Sequence, residues 1–598
     1  MMQLSALFRR RGPFVAAILL PLLAACAGHG GLHPASSPVA NSGTETIGII
    51  AINDFHGALT PPKTSVLVGD GKGGVTQVPA GGAAWLASAV DSVRNQYPNH
   101  LTVSAGDMIG GSQLASSMFL DEPAVEVMNR IGLDYNAVGN HEFDRGRDEL
   151  LRKAKGGCQQ FTTLKPCQLE PFKGAKFGYL AANSLQADGT TLFPATAIRT
   201  FGKGRHQVKV GLIGITLEAT TDLVSRDGLQ GVHFVNEADT VNALIPGLKA
   251  AGADAIVLLI HQGGYTHGDP QPGGCADLTG GIRPVLDRLD RRVDVVVSGH
   301  THWSYVCNYG DYNPDKPFLL TSAGVFGQLV TDIKIEIDPR RGVVVAKAAR
   351  NIIVQSEGYP TRNGEIAVSD RFPRFAQRPD IAAYVGRYVD ASKDEIQRPA
   401  GRLAGEVTRP GGDATRGGGT LGSLIADAQL AATRSAGAQI AFMNPFGVRA
   451  PHRLTPAADG TLTFGMLYAV QPFNNTMITQ SLTGAELKAV LEEGFDDNQP
   501  LQALSPSAGF TYTYDLSRPV GDRVTGMTLA GQPIDPAATY RVTTNSFLAS
   551  GGDSFSGFAR QRDAAIARLS DIEALEAWLK GDQPRAVPAE ERAVEVKH

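Results

Sequence analysis

Six stretches of the chain are rich in apolar residues and stop at polar ones: "TIGIIAIND" (46–54), "HLTVSAGD" (100–107), "DYNAVGNHE" (134–142), "HQVKVGLIGIT" (206–216), "ADAIVLLIHQGG" (253–264) and "VDVVVSGHTH" (293–302). Short runs that are apolar on both faces predict strands of a buried sheet. Between them the period changes. In "GGAAWLASAVDSVRNQYP" (81–98), Trp85, Leu86, Ala89 and Val93 fall at helical spacing, and "EPAVEVMNRIG" (122–132) reads as a second helix. Buried strands alternating with helices define the α/β class.

The pattern shifts around residues 345–400. "YPTRNGEIAVSDRFPRF" (359–375) reads as loop, and "DIAAYVGRYVDASKDEI" (380–396) as an amphipathic connecting helix. Beyond it, "LGSLIADAQLAATRSAG" (421–437) is a helix. Short strands and turns follow: "AQIAFMN", "LTFGMLYAVQPF", "TMITQSLTG", "RVTGMTLAG" and "YRVTTNSFL". This gives an α/β domain over 46–345, a linker with the connecting helix over 346–399, an α+β domain over 400–582 and a tail over 583–598. At 598 residues the chain is too long for one core, which agrees with the division.

The first residues belong to neither domain. Arg9, Arg10 and Arg11 precede "PFVAAILLPLL", an apolar run too short to span a bilayer, and this reads as a secretory signal over 1–25. It ends in "LAAC", which resembles a bacterial lipobox. Cys26 is then the lipidation site, 26–45 a flexible tether, and the periplasm or cell envelope the location. Membrane contact is expected through the lipid alone, and the protein as a monomer. The net charge of −4, with no basic stripe, argues against a nucleic-acid polymer as partner. Cys158, Cys167, Cys275 and Cys307 suggest two disulfides in an exported protein. Three pairings are open; the nearest-neighbour one, Cys158–Cys167 with Cys275–Cys307, is preferred. The spacings are not C-x-x-C, so a thiol metal or redox site is not expected.

Candidate chemistry collects where the strands stop. The segments are "NDFHG" (Asp54, His56), "SAGDMIGG" (Asp107), "GNHEFD" (Asn140, His141, Asp144), "IHQGG" (His261) and "GHTHW" (His300, His302). In open α/β sheets, ligands bind beyond the carboxyl ends of strands, so these segments should meet on one rim. In extended backbone, alternate residues share a side, so D-x-H and H-x-H could each face one ion. Imidazole, carboxylate and amide donors suit divalent ions such as zinc, manganese or another transition metal. One acid shared by two ions would hold them about 3.5–4 Å apart, the spacing of phosphoryl-transfer centres.

Taken in order, D-x-H, GD, GNHE, H and GH-x-H resemble the calcineurin-like metallophosphoesterase superfamily. As written here they resemble in particular the bacterial periplasmic 5'-nucleotidase/UDP-sugar hydrolase family. The resemblance implies an αββα sandwich followed by an α+β nucleotide-binding domain, with two divalent ions as cofactors. It places one ion on Asp54, His56 and His302, the other on Asn140, His261 and His300, and Asp107 between them. It makes His141 a transition-state stabiliser or proton donor oriented by Asp144, and leaves Glu142 to support the turn.

In the second half, "MNPFGVRA", "VQPFNNT" and "NSFLASGGDSF" resemble the family's nucleotide-binding domain. By that match Phe473 and Phe547 clamp a base, Asn475 reads its edge, Asp553 holds the ribose hydroxyls and Arg449 the sugar or phosphate, with Asn444 nearby. Two stretches depart from the family pattern. "NPFGVR" stands where many relatives have three glycines, so Pro445 and Phe446 would reshape the pocket. "DATRGGGTLGSLIADA" makes Arg416 the nearest phosphate ligand. The implied activity is phosphate release from nucleotides: nucleoside 5'-monophosphates, with UDP-sugars, di- and triphosphates or 2',3'-cyclic nucleotides as further substrates, in the service of nucleotide salvage. The alternatives are a same-fold hydrolase of a non-nucleotide ester, such as a sulfur-oxyanion conjugate, and a nucleotide-binding surface lipoprotein without turnover. The resemblance further implies that the second domain rotates about the linking helix.

Overall fold

In the computed structural model, strand Glu45–Ile52 lies inside a six-stranded sheet ordered 343–353, 329–338, 45–52, 100–104, 135–137, 178–180. The residues described are 43–597, except 71–73, 225, 268–271, 362–363, 412–416, 498–500 and 589–591. The expected signal, Cys26, most of the tether and Arg416 therefore lie outside the described residues. Strands 45–52, 100–104, 135–137 and 178–180 run parallel, as the buried apolar runs require.

A second six-stranded sheet, ordered 304–308, 319–323, 295–298, 255–260, 208–215, 196–201, is parallel across its four central strands. The two sheets pack face to face. Ile47, Ile49, Ala51, Leu101 and Val103 of the first meet Val210, Leu212, Val257, Leu259 and Val297 of the second, all within 1% of full burial. The alternate residues Ile50 and Ile52 turn outward onto helices Ala83–Arg94 and Glu122–Ile131. On the other side Ile256, Leu258 and Ile260 pack beneath helices Glu237–Ala250 and Ile282–Arg288. Helix, sheet, sheet, helix is the αββα order. Disulfides join Cys158 to Cys167 and Cys275 to Cys307.

Helix Pro379–Gln397 connects the halves. Its Ile381, Tyr384, Val385 and Tyr388 are buried in the core of the first half, and Ile396 also touches that of the second. The carboxyl-terminal half carries a five-stranded sheet ordered 505–506, 440–443, 539–545, 476–483, 565–570, with helices Gly419–Thr433 and Asp571–Leu579 packed together.

Four expectations need correction. Within the stretch read as loop, Tyr359–Thr361 and Gly364–Ile366 pair as antiparallel strands. Strand Val343–Ile353 carries the first sheet past residue 345. "LTFGMLYAV", read as strand and turn, is a three-residue strand and then helix Phe464–Val470, because the Thr463 side chain caps the Met466 amide. The tail is ordered in part: Ala593–Glu595 pairs with Tyr512–Tyr514, and Arg592 makes two charged hydrogen bonds to Asp427, at 2.7 and 3.0 Å.

Candidate active site

All five candidate segments leave the carboxyl ends of parallel strands, three from the first sheet and two from the second. The turns are tight. Asp54, His56, Asp107, His300 and His302 have left-handed backbone, with φ of 48°, 48°, 52°, 73° and 61°. The expectation of extended D-x-H and H-x-H motifs is therefore wrong: their side chains converge because the chain coils. Such non-glycine conformations cost about 1–3 kcal/mol each and gather at functional sites. Close approach also fixes two glycines. A Cβ on Gly139 would lie 2.1 Å from Asp107 Oδ1, and one on Gly299 would lie 2.8 Å from Asp54 Oδ2.

The side chains form two neighbouring groups, Asp54–His56–His302 and Asp107–His261–His300, with donor atoms in each within 4.8 Å of one another. Asn140 joins the second, its Oδ1 3.0 Å from His261 Nε2 and 3.1 Å from His300 Nδ1. Backbone carbonyls set two tautomers: His56 Nδ1 donates to Gly110 and His261 Nδ1 to Ala105, both at 2.7 Å. In the neutral form of each ring, Nε2 is then a lone pair.

Those lone pairs face other acceptors. His56 Nε2 is 3.1 Å from His302 Nε2, and His261 Nε2 is 3.0 Å from Asp107 Oδ2. Asp107 Oδ2 is buried and also lies 3.8 Å from His56 Nε2, so it stands between the groups. Acceptor against acceptor in a buried site needs a proton or a cation between them. Burial holds His56 well below the usual imidazole range and lowers His300 to about 3, which keeps both neutral and able to ligate. At His261, burial is outweighed by Asp107, which raises it to about 10, so a cation there displaces a proton. Two carboxylates, four imidazoles and an amide oxygen, with Asp107 central, fit two divalent cations.

His141 faces Asp144, its Nδ1 2.9 Å from Oδ2 and 3.0 Å from Oδ1. Burial acts to lower its pKa, but Asp144 and Asp107 outweigh burial and raise it, which favours a proton donor. Glu142, pushed up to about 7 by burial, accepts from the amides of Gly139 (2.6 Å), Met108 (2.8 Å) and Asp107 (2.9 Å). It ties two ligand loops together.

His141, Asp144, Asn140, His300 and His302 line a cavity of about 1220 Å³. From the carboxyl-terminal half, Asn444, Arg449, Phe473, Asn475, Phe547 and Asp553 line the same cavity. Asn444 Nδ2 donates to Asp553 Oδ2 at 2.7 Å. Burial pushes Asp553 up to about 6, against the pull of Asn444, Arg449 and Arg409. Phe547 packs on Gly552, where a Cβ would lie 2.6 Å from its ring. Phe473 is stacked on His141, with centroids 5.7 Å apart.

Three further residues escaped the sequence reading. Asn53, inside the quoted "NDFHG", donates to Asp54 Oδ2 and to the Gly324 carbonyl, both at 2.7 Å, and so aims a candidate ligand. Asp571, the first residue of helix Asp571–Leu579, accepts from Asn475 Nδ2 at 3.1 Å. Buried Arg409 places its guanidinium 5.3 Å from the ring of Phe446, which gives the cavity an aromatic wall. A lone Arg carries no signal without that placement.

Fold and donor set together define a metallophosphoesterase architecture. The calcineurin-like phosphoesterase family matches residues 47–304, and the 5'-nucleotidase C-terminal domain matches 399–560. The chain belongs to the 5'-nucleotidase family of calcineurin-like phosphoesterases. It is 30% identical to endonuclease YhcR of Bacillus subtilis over 91% of this chain, yet spans only 40% of that relative's length. It is 24% identical to the NAD 5'-nucleotidase of Haemophilus influenzae, over 88% of this chain and 87% of that one. The crystal structure of a 5'-nucleotidase precursor from Thermus thermophilus superposes with a TM-score of 0.72 at 26% identity, covering 92% of this chain and 100% of that one.

Proposed function

We propose that the protein is an exported phosphohydrolase with a dinuclear metal centre that releases phosphate from nucleotides. Nucleoside 5'-monophosphates are the first substrates, with UDP-sugars, di- and triphosphates or 2',3'-cyclic nucleotides as further ones. One observation carries this reading: a member of each metal-fit group, His302 and His300, lines the same cavity as the nucleotide-type residues. When bound, two divalent cations would supply an activated water and neutralise phosphoryl oxygens.

The chain's own residues do the rest. Asp54, His56 and His302 would hold one ion, Asn140, His261 and His300 the other, and Asp107 both. His141, whose protonated form Asp144 favours, delivers a proton to the leaving oxygen or steadies the phosphoryl charge. Arg449 reaches the metal groups: a Cβ on Gly111 would touch both its Nη2 (3.7 Å) and His56 Nδ1 (3.5 Å). It grips the phosphate. Asp553 accepts from the ribose hydroxyls, Asn475 reads the base edge, and Phe547 with the outer surface of Phe473 stacks the base.

Two disulfides support an oxidising compartment, here the periplasm or cell envelope with a lipid at Cys26. Among the described residues, no helix is long and apolar enough to cross a membrane. The product nucleosides would then be taken up for salvage. The test is phosphate release from AMP, UDP-glucose, a cyclic nucleotide and a non-nucleotide ester, each with zinc, manganese or EDTA. EDTA-sensitive release from AMP is expected; none from any nucleotide would overturn the reading.

A further inference from the structure

Phe473 lies in the loop after helix Phe464–Val470 of the carboxyl-terminal half, yet its ring stacks on His141 of the catalytic half. The centroids are 5.7 Å apart and the planes 10° from parallel. Its Cε1 also reaches the loop that orders the metal site, where a Cβ on Gly111 would lie 3.7 Å from Phe473 Cε1 and 3.5 Å from His56 Nδ1. No base fits between Phe473 and His141. Carbon contacts of about 3.5–4.0 Å on both faces of an inserted base need rings about 7 Å apart or more. The surface of Phe473 turned toward His141 therefore has a task other than clamping.

The His141 ring is held at Nδ1 by Asp144, and the His56 ring meets it edge-on at 5.1 Å. A hydrogen bond to one ring atom fixes a direction but leaves the tilt of the plane soft, because χ2 of histidine has broad wells. A parallel ring on its face fixes the tilt. The same helix is tied to the same turn by a second contact. The Tyr468 hydroxyl hydrogen-bonds Ser117 Oγ, which accepts from Arg145 Nη2 at 2.8 Å, one residue beyond Asp144.

We infer that Phe473 is a positioning residue for His141, holding the imidazole plane for proton delivery when the carboxyl-terminal half is packed against the catalytic half. This rests on the phosphohydrolase reading above. It means that the nucleotide-binding half contributes to chemistry even on a substrate that has no base, since the stack is made by the protein alone.

The test uses the full chain loaded with manganese and compares AMP with ribose 5-phosphate, which lacks a base. Phe473→Leu should lower kcat on ribose 5-phosphate about tenfold, with its KM and the bound metal unchanged. Phe473→Tyr, which keeps the ring, should recover most of kcat. In a His141→Ala background, Phe473→Leu should add no further loss, because its effect runs through that imidazole. Unchanged kcat on ribose 5-phosphate, with loss confined to KM for AMP, would reduce Phe473 to a base clamp and overturn the inference. Equal losses in both backgrounds would also overturn it. Wild-type protein that releases phosphate from neither substrate would instead defeat the phosphohydrolase reading, and the inference with it.

Discussion

In the catalytic half, the candidate ligands hang from strand ends, and Asp54, His56 and His261 are completely buried. In the carboxyl-terminal half, Phe473 and Phe547 are only half-buried and stand on a loop and a four-residue helix. Asp553 sits in a left-handed turn with φ 53°. Metal geometry tolerates little error, so it is built on the stiffest parts of the sheet. The proposed base recognition by stacking tolerates more, and its residues stand where side chains can adjust. If that contrast holds, damage to the first half should remove chemistry, and damage to the second should mainly weaken binding, except at Phe473, whose ring lies against His141.

The largest effect should come from Asp107→Asn. Loss of the shared carboxylate should lower bound metal, measured by atomic emission, and cut phosphate release about 10³-fold or more. His141→Ala should reduce kcat by about 10²–10⁴-fold while both ions stay bound. Metal loss in that variant would place His141 among the ligands and redraw the site. In the other half, Phe547→Leu should raise KM for AMP by roughly 5- to 150-fold, the equivalent of about 1–3 kcal/mol of stacking. The same variant should leave ribose 5-phosphate hydrolysis unchanged.

The smallest effect is one of pH. Burial raises Asp553 to about 6, so its carboxylate protonates as pH falls through that value and loses an acceptor for the ribose. KM for AMP should therefore rise below about pH 6 and be steady above it. In Asp553→Asn that limb should vanish from the profile; a limb that persists would assign it to other groups.

How far the sequence reveals these halves follows the same contrast. Strands 255–260 and 295–298 are legible because every residue before their polar stops is apolar, and the ligand candidates follow directly. The conformation of the turns that carry the ligands is not legible. Asp54, His56, His300 and His302 adopt positive φ against their intrinsic preference. Long-range hydrogen bonds hold these turns, from the Asp54 amide to the Gly106 carbonyl, the His56 amide to the Asp107 carbonyl and the His300 amide to the Asp54 carboxylate. In the carboxyl-terminal half, the apolar run 464–470 suits strand or helix equally, and a Thr463 cap decides. The Asp571–Asn475 pair and the 593–595 strand depend on partners about 80 to 100 residues away. Local pattern cannot encode such contacts.

The division of labour itself is tested most directly by one ratio: kcat/KM for AMP over kcat/KM for ribose 5-phosphate, measured on the manganese-loaded chain. The account predicts that AMP is favoured about tenfold or more, that the preference collapses in Phe547→Leu, and that both rates vanish with EDTA. A ratio near one in the wild type, with both rates still EDTA-sensitive, would contradict it: the metal centre would be real, and the carboxyl-terminal half would not be reading a base.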